Sequence, residues 1–200
     1  MFQLSSSDTN DGPVNIYHAY PPNKSNDNAI LFFTDIFGLA LAQNRLYIII
    51  SLQLPNSCHT NAPFCSLADS YARAGYLVLL PDYFKGDPIP VNSDGFNRTA
   101  WRDRHPQAEV TSIIETTVKH ARETLKVKKL GAAGFCFGGP YVVRQLAAGK
   151  GVDAGFIAHP GPFTNAELNA ITGPLTIAAA GKFCLYPMNF GPCPSVDVDM

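Results

Sequence analysis

Leu130-Gly131-Ala132-Ala133-Gly134-Phe135-Cys136-Phe137-Gly138-Gly139-Pro140-Tyr141-Val142-Val143 is the stretch whose reading decides the fold. A short apolar run, Leu130 to Ala133, leads into a glycine-flanked turn, and an apolar-periodic segment, Tyr141 to Ala148, follows it. Strand, sharp turn and helix in that order are the setting of a nucleophile elbow. The glycines carry a steric message. The residue at the tip is forced into a strained backbone conformation, and a Cβ two residues before or after it would strike the neighbouring strand or helix. The turn aims Cys136 at a helix N-terminus, whose partial positive charge and free N–H groups favour a thiolate. The N–H of Phe137 is then a candidate oxyanion donor. The competing reading is a buried structural cysteine inside a chance Gly-x-Cys-x-Gly.

Outward from the turn, strand and helix patterns alternate. Val14 to Tyr20 alternates apolar and polar residues, which predicts an antiparallel edge strand. Ala29 to Thr34 and Tyr76 to Leu80 are continuous apolar runs that predict buried strands. Leu67, Ala68, Tyr71 and Ala72 recur at helical spacing, with Gly75 as a C-terminal stop. From Gln107 to Leu125, Val110, Ile113, Ile114, Val118, Ala121 and Leu125 form one apolar stripe, with Pro106 near the first turn. Ala154 to Ala158 and Pro174 to Ala180 predict two more buried strands. This alternation implies an α/β chain with a doubly wound, mainly parallel sheet. Ligands of such sheets bind at the carboxyl ends of the strands, where Asp35, Asp82 and Cys136 all fall.

Composition narrows the function classes. With 15 basic and 16 acidic residues the net charge is −1, which gives no electrostatic case for nucleic acid. No apolar run approaches the ~18 residues of a membrane span, and the first residues lack a basic and then apolar leader. The 5 cysteines are an odd number without CxxC spacing, which speaks against a disulfide framework and a zinc site. A cytoplasmic protein is the resulting expectation.

Several further motifs stand in a fixed order: Phe33-Thr34-Asp35-Ile36-Phe37-Gly38-Leu39, Ala72-Arg73-Ala74-Gly75-Tyr76, Pro81-Asp82-Tyr83-Phe84-Lys85-Gly86-Asp87-Pro88, the Cys136 elbow, and Ala158-His159-Pro160. Together they resemble the dienelactone hydrolase family, a branch of the α/β hydrolases with a cysteine nucleophile, and look most like its fungal members. The resemblance implies an α/β-hydrolase fold over residues 14–180 whose C-terminal part is missing. It implies Cys136 as nucleophile, the N–H groups of Ile36 and Phe137 as the oxyanion hole, and Asp35 as the acid beside the resting cysteine. Lys85 lies near, not at, the position of a substrate-carboxylate-binding arginine; its plain reading is an exposed loop lysine. Such an enzyme hydrolyses a small-molecule ester or lactone through a thioester on cysteine, with no metal or organic cofactor.

The chain also departs from that pattern. The family triad continues with an aspartate just after the strand at 174–180 and a histidine several tens of residues later. Here Ala180-Gly181-Lys182-Phe183-Cys184 occupies the first place, and no histidine follows His159. Residues 181–200 read as an unrelated tail. Of the other histidines, His18, His105 and His120 suit structural places, and His159 matches a histidine that is structural in the family. Residues 47–66 read as an insert, because joining Leu46 to Leu67 restores one uninterrupted helix face. A retained intron is the leading explanation, and a lineage-specific loop is its rival. The sequence therefore carries three readings: a hydrolase by ancestry, a non-catalytic remnant or pseudoenzyme, and a thiol redox sensor at Cys136. The oligomeric state stays open.

Overall fold

The computed structural model describes residues 3–9, 12–39 and 63–179. Seven strands form one sheet: β1 (Gln3–Thr9), β2 (Gly12–Ala19), β3 (Asn28–Phe33), β4 (Leu77–Pro81), β5 (Lys129–Phe135), β6 (Ala154–Ala158) and β7 (Leu175–Ala178). Their order across the sheet is β1-β2-β4-β3-β5-β6-β7. The pairs β1·β2 and β2·β4 are antiparallel, and every other pairing is parallel. The helices are α1 (Pro63–Arg73), α2 (Arg98–Arg104), α3 (Gln107–Lys119), α4 (Gly139–Gln145) and α5 (Asn165–Asn169). A π turn, His120–Thr124, continues α3, and its final bond runs from the Leu125 N–H to the His120 carbonyl at 3.0 Å.

The continuous apolar runs are explained by burial on both faces. Along β3, Leu31 and Phe33 enter one core with Leu79, Leu130 and Ile157, roofed by Val110, Ile113 and Ile114 of α3 and Val142 and Val143 of α4. Phe32 points the other way and joins Val78, Leu80 and Ala133 beneath Ala68 and Ala72 of α1. Alternate residues of one strand thus feed two layers, as the period of two requires.

Three sequence expectations need correction. The Val14–Tyr20 strand is antiparallel but interior, because β1 pairs along its outer side from Gln3↔His18 to Thr9↔Gly12. Helices α2 and α5 lie where no apolar stripe announced them; both are short and held by side-chain caps from Asn97 and Thr164. The stripe ending at Leu125 is not one α-helix, since its last turn is the wider π form. The tail at 181–200 and positions 47–62 of the insert lie outside the described residues, whereas positions 63–66 form the first turn of α1.

Candidate active site

The elbow is built as its glycines dictate. Strand β5 ends at Phe135, Cys136–Gly138 make one 3-10 turn, and α4 starts at Gly139. Cys136 holds φ +48°, a left-handed conformation that disfavours any residue with a Cβ. What holds it there is close packing on both sides. A Cβ on Gly134 would lie 2.7 Å from the Gly138 carbonyl oxygen and from a Val142 methyl. A Cβ on Gly139 would lie 2.5 Å from Pro160. Strain at the tip, over-determined by its surroundings, is a mark of a functional turn.

Register places the other groups. Phe33 of β3 is paired with Gly134, and Phe135 is paired with Ala158 of β6. Carrying each pairing to the strand ends sets Asp35, Cys136 and His159 in one row across β3, β5 and β6, with the cysteine in the middle. His159 also holds a left-handed backbone, φ +36°. Its N–H donates to the Ala178 carbonyl at 3.0 Å, and the Gly161 N–H donates to the Cys136 carbonyl at 2.8 Å. The loop after β6 is therefore tied to the elbow itself.

The electrostatics follow from partial burial. Asp35 is 8% exposed. Desolvation pushes its carboxyl above the usual range, against a bond donated by the Phe37 N–H at 2.9 Å and the charge of His159. The Cys136 thiol is half-buried, and burial pushes it up as well; the Phe137 N–H at the sulfur works the other way, and the Asp35 charge adds to the rise. Burial at the elbow thus opposes the pull of the helix N-terminus on the Cys136 sulfur.

Around this row the support is aromatic. The Tyr83 hydroxyl donates to the Thr34 carbonyl at 2.5 Å and accepts from the Thr34 hydroxyl at 3.0 Å, fixing the backbone just before Asp35. Sequence reasoning passed over Tyr83, although its place two residues after Pro81 at a strand end was a usable signal. The Phe137 ring meets Phe84 at 5.2 Å, Tyr141 at 5.4 Å and Tyr83 at 5.9 Å between centroids. Phe137 is thereby anchored where its N–H faces the sulfur. The Ile36 carbonyl accepts from the Ile89 N–H at 3.0 Å, which pins the turn carrying Ile36.

Other candidates stand apart. Lys85 is exposed and ion-pairs with Glu109 at the start of α3. Asp82, raised by burial, is opposed by the N–H groups of Gly86, Phe84 and Lys85, so its carboxyl caps a turn. His105 is buried between the Trp101 and Phe84 carbonyls. His18 is buried beside Tyr20 and His120. Among the described residues no group of three or more His, Cys, Asp or Glu could hold a metal ion, and no helix is long and apolar enough to cross a membrane.

Comparison with known proteins adds to this geometry. The model of the dienelactone hydrolase family matches residues 60–189. "Hydrolase pyvD" of Aspergillus violaceofuscus is 41% identical over 177 residues, covering 88% of this chain and 64% of that protein. "Dienlactone hydrolase 1" of Gibberella moniliformis is 30% identical over 182 residues, covering 86% of this chain and 62% of that protein. The chain thus spans a little under two thirds of the length of these relatives. Among solved structures, a dienelactone hydrolase from Anabaena variabilis superposes with TM-score 0.60 at 14% identity, covering 90% of this chain and 73% of that one, a likeness of fold.

Proposed function

The chain belongs to the dienelactone hydrolase family, and on that premise we propose that it carries the acyl-transfer site of a carboxylic ester or lactone hydrolase with Cys136 as nucleophile. The observation that carries the reading is the strained φ of +48° at Cys136, between glycines that admit no side chain. Such strain presents a side chain at the mouth of the sheet rather than in the core.

In the proposed reaction a small-molecule ester or lactone sets its carbonyl carbon against Sγ, and the carbonyl oxygen faces the N–H groups of Phe137 and Ile36. Sulfur adds, the oxygen takes up negative charge, and those donors stabilise it. Collapse expels the alkoxide and leaves a thioester on Cys136. Asp35, beside Cys136 in the row, is the group proposed to take the thiol proton. Lys85, the weaker candidate for binding substrate, is ion-paired with Glu109 at the start of α3.

The second half-reaction needs a base to activate water. No histidine follows His159 in these 200 residues. Acylation outrunning deacylation is the kinetic form this reading proposes. The rival reading, a non-catalytic remnant or pseudoenzyme, differs in forming no acyl-enzyme at all.

A burst assay with a chromogenic short-chain aryl ester, run beside Cys136→Ala, separates the two. A stoichiometric burst that vanishes in the variant is the expected result. Equal, featureless traces for both proteins overturn the hydrolase reading.

A further inference from the structure

Tyr83 is buried at the site, yet the acyl-transfer reading gives it no role. It touches both arms of the proposed oxyanion hole, by different means. Toward β3, its hydroxyl donates to the Thr34 carbonyl at 2.5 Å and accepts from the Thr34 hydroxyl at 3.0 Å. Thr34 lies two residues before Ile36, whose N–H is one proposed donor. Toward β5, its ring centroid lies 5.9 Å from that of Phe137, whose N–H is the other donor, and 6.5 Å from that of Tyr141 in α4. Burial pushes the phenol well above its ordinary value, so it stays a neutral donor.

The loop that carries Tyr83 is itself fixed. Just after β4, the Asp82 N–H donates to the Asn15 carbonyl of β2 at 2.8 Å, and the Asp82 carboxylate caps the turn that follows. Further on, the Asp87 carbonyl accepts from the Trp101 indole at 2.7 Å. We propose that Tyr83 is a positioning residue of the oxyanion hole: its hydroxyl grips the Thr34 backbone while its ring braces Phe137, which holds the Ile36 and Phe137 N–H groups at one spacing. The proposal rests on the acyl-transfer reading of Cys136. Donors aimed before charge develops need no reorganisation during the reaction, and that is where their effect comes from. Without the phenol, the buried Thr34 carbonyl loses its partner and must seek another, taking the turn at Asp35 and Ile36 with it.

Tyr83→Phe keeps the ring and removes the grip. Two rates at Cys136 of the full chain then test the role. The acyl burst with a chromogenic aryl ester uses the oxyanion hole, whereas alkylation by iodoacetamide forms no oxyanion. The burst should slow about 10- to 100-fold in Tyr83→Phe, with alkylation unchanged. Thr34→Val leaves the bond to the carbonyl intact and should slow the burst far less. An unmoved burst, an equal fall in both rates, or equal losses in the two variants overturns the proposal.

Should Tyr83→Phe fail to fold, Phe137→Leu decides. It keeps its own N–H but loses the braced ring, so the burst should again fall while alkylation holds; any other pattern rejects the brace. Amide NMR separates the positioning from the chemistry. Tyr83→Phe should shift the Ile36 and Phe137 N–H resonances together, whether or not the protein acylates. Both shifted in a protein without a burst rejects the hydrolase and keeps the positioning. A burst with the two resonances unmoved does the reverse.

Discussion

Gly138 and Phe33 meet backbone to backbone: a Cβ on Gly138 would lie 2.3 Å from the Phe33 carbonyl oxygen. That contact locks the elbow onto β3, the strand that delivers Asp35. Gly138→Ala must push the two strand ends apart, so we expect a loss of about 3 kcal/mol or more, together with loss of the Cys136 acyl burst. Gly149→Ala is the control. Its φ is +76° but nothing lies within 4 Å of the added methyl, so backbone strain alone should cost about 1 kcal/mol. Urea unfolding of both variants checks this, and an equal loss at the two sites would contradict the steric account.

Acid should unfold the protein through the His18–His120 pair. The two rings are 5.7 Å apart, centroid to centroid. Burial, helped by His120, brings His18 down to about 4, and burial lowers His120 too. A histidine depressed in the fold binds fewer protons there than in the unfolded chain. Its stabilisation is therefore complete above the ordinary histidine value near 6.5 and drains away as pH falls through about 4. Urea midpoints measured across that window should decline steadily, and His18→Gln should flatten the decline. A midpoint independent of pH there sinks the idea.

Arg122 should resist replacement by lysine. From the π turn its guanidinium donates to the carbonyls of Gly151, Val127 and Lys128 and to the Asp153 carboxylate at 2.7 Å. Asp153 in turn accepts from the Leu130 N–H at 2.7 Å. One planar fork thus ties the entrances of β5 and β6 together, a geometry that an ammonium cannot reproduce. Arg122→Ala should cost about 2–4 kcal/mol and Arg122→Lys nearly as much. Calorimetry of the two variants measures it; full recovery with lysine would show that charge alone matters.

Phe156 and Ile177, on opposite faces of β6 and β7, are 36% and 39% exposed. Apolar side chains beside a terminal strand invite association. We expect the isolated chain to bind ANS and to sediment heavier as its concentration rises, and Phe156→Lys to weaken both effects. A compact, dye-silent monomer contradicts this.

How much of this was legible in the sequence depended on whether the signal was local. The elbow was, because the steric demands of Gly134 and Gly138 are written within five residues of Cys136. The stripe of α3 and the runs of β3, β4 and β5 were legible because burial imposes a period or a continuous apolar run. Strand β1 was not: Ser5-Ser6-Ser7 offers no alternation, and its order comes from pairing with β2. The desolvation that raises the Cys136 thiol was not legible, because a helix N-terminus is visible in sequence while burial is not. The place of His159 beside the elbow was not legible for a similar reason. Asp35, Cys136 and His159 come from separate strand ends, and only the register of β3, β5 and β6 brings them to one row.

That row has a consequence for how the chain can vary. Adjacent strands stand about 4.8 Å apart, so the sheet acts as a ruler on which Asp35 and His159 are two divisions apart with Cys136 on the mark between. The ruler is set at its other end as well, where the N–H groups of Lys128 and Lys129 both donate to the Asp27 carbonyl and fix β5 against β3. A slip of one residue there would throw a side chain to the opposite face. The connection between Leu39 and Pro63 lies outside the paired stretches of β3, β5 and β6, and long connections are cheap to close. A change in the length of that connection therefore leaves the pairing of β3, β5 and β6, and with it the spacing of the row, as it is.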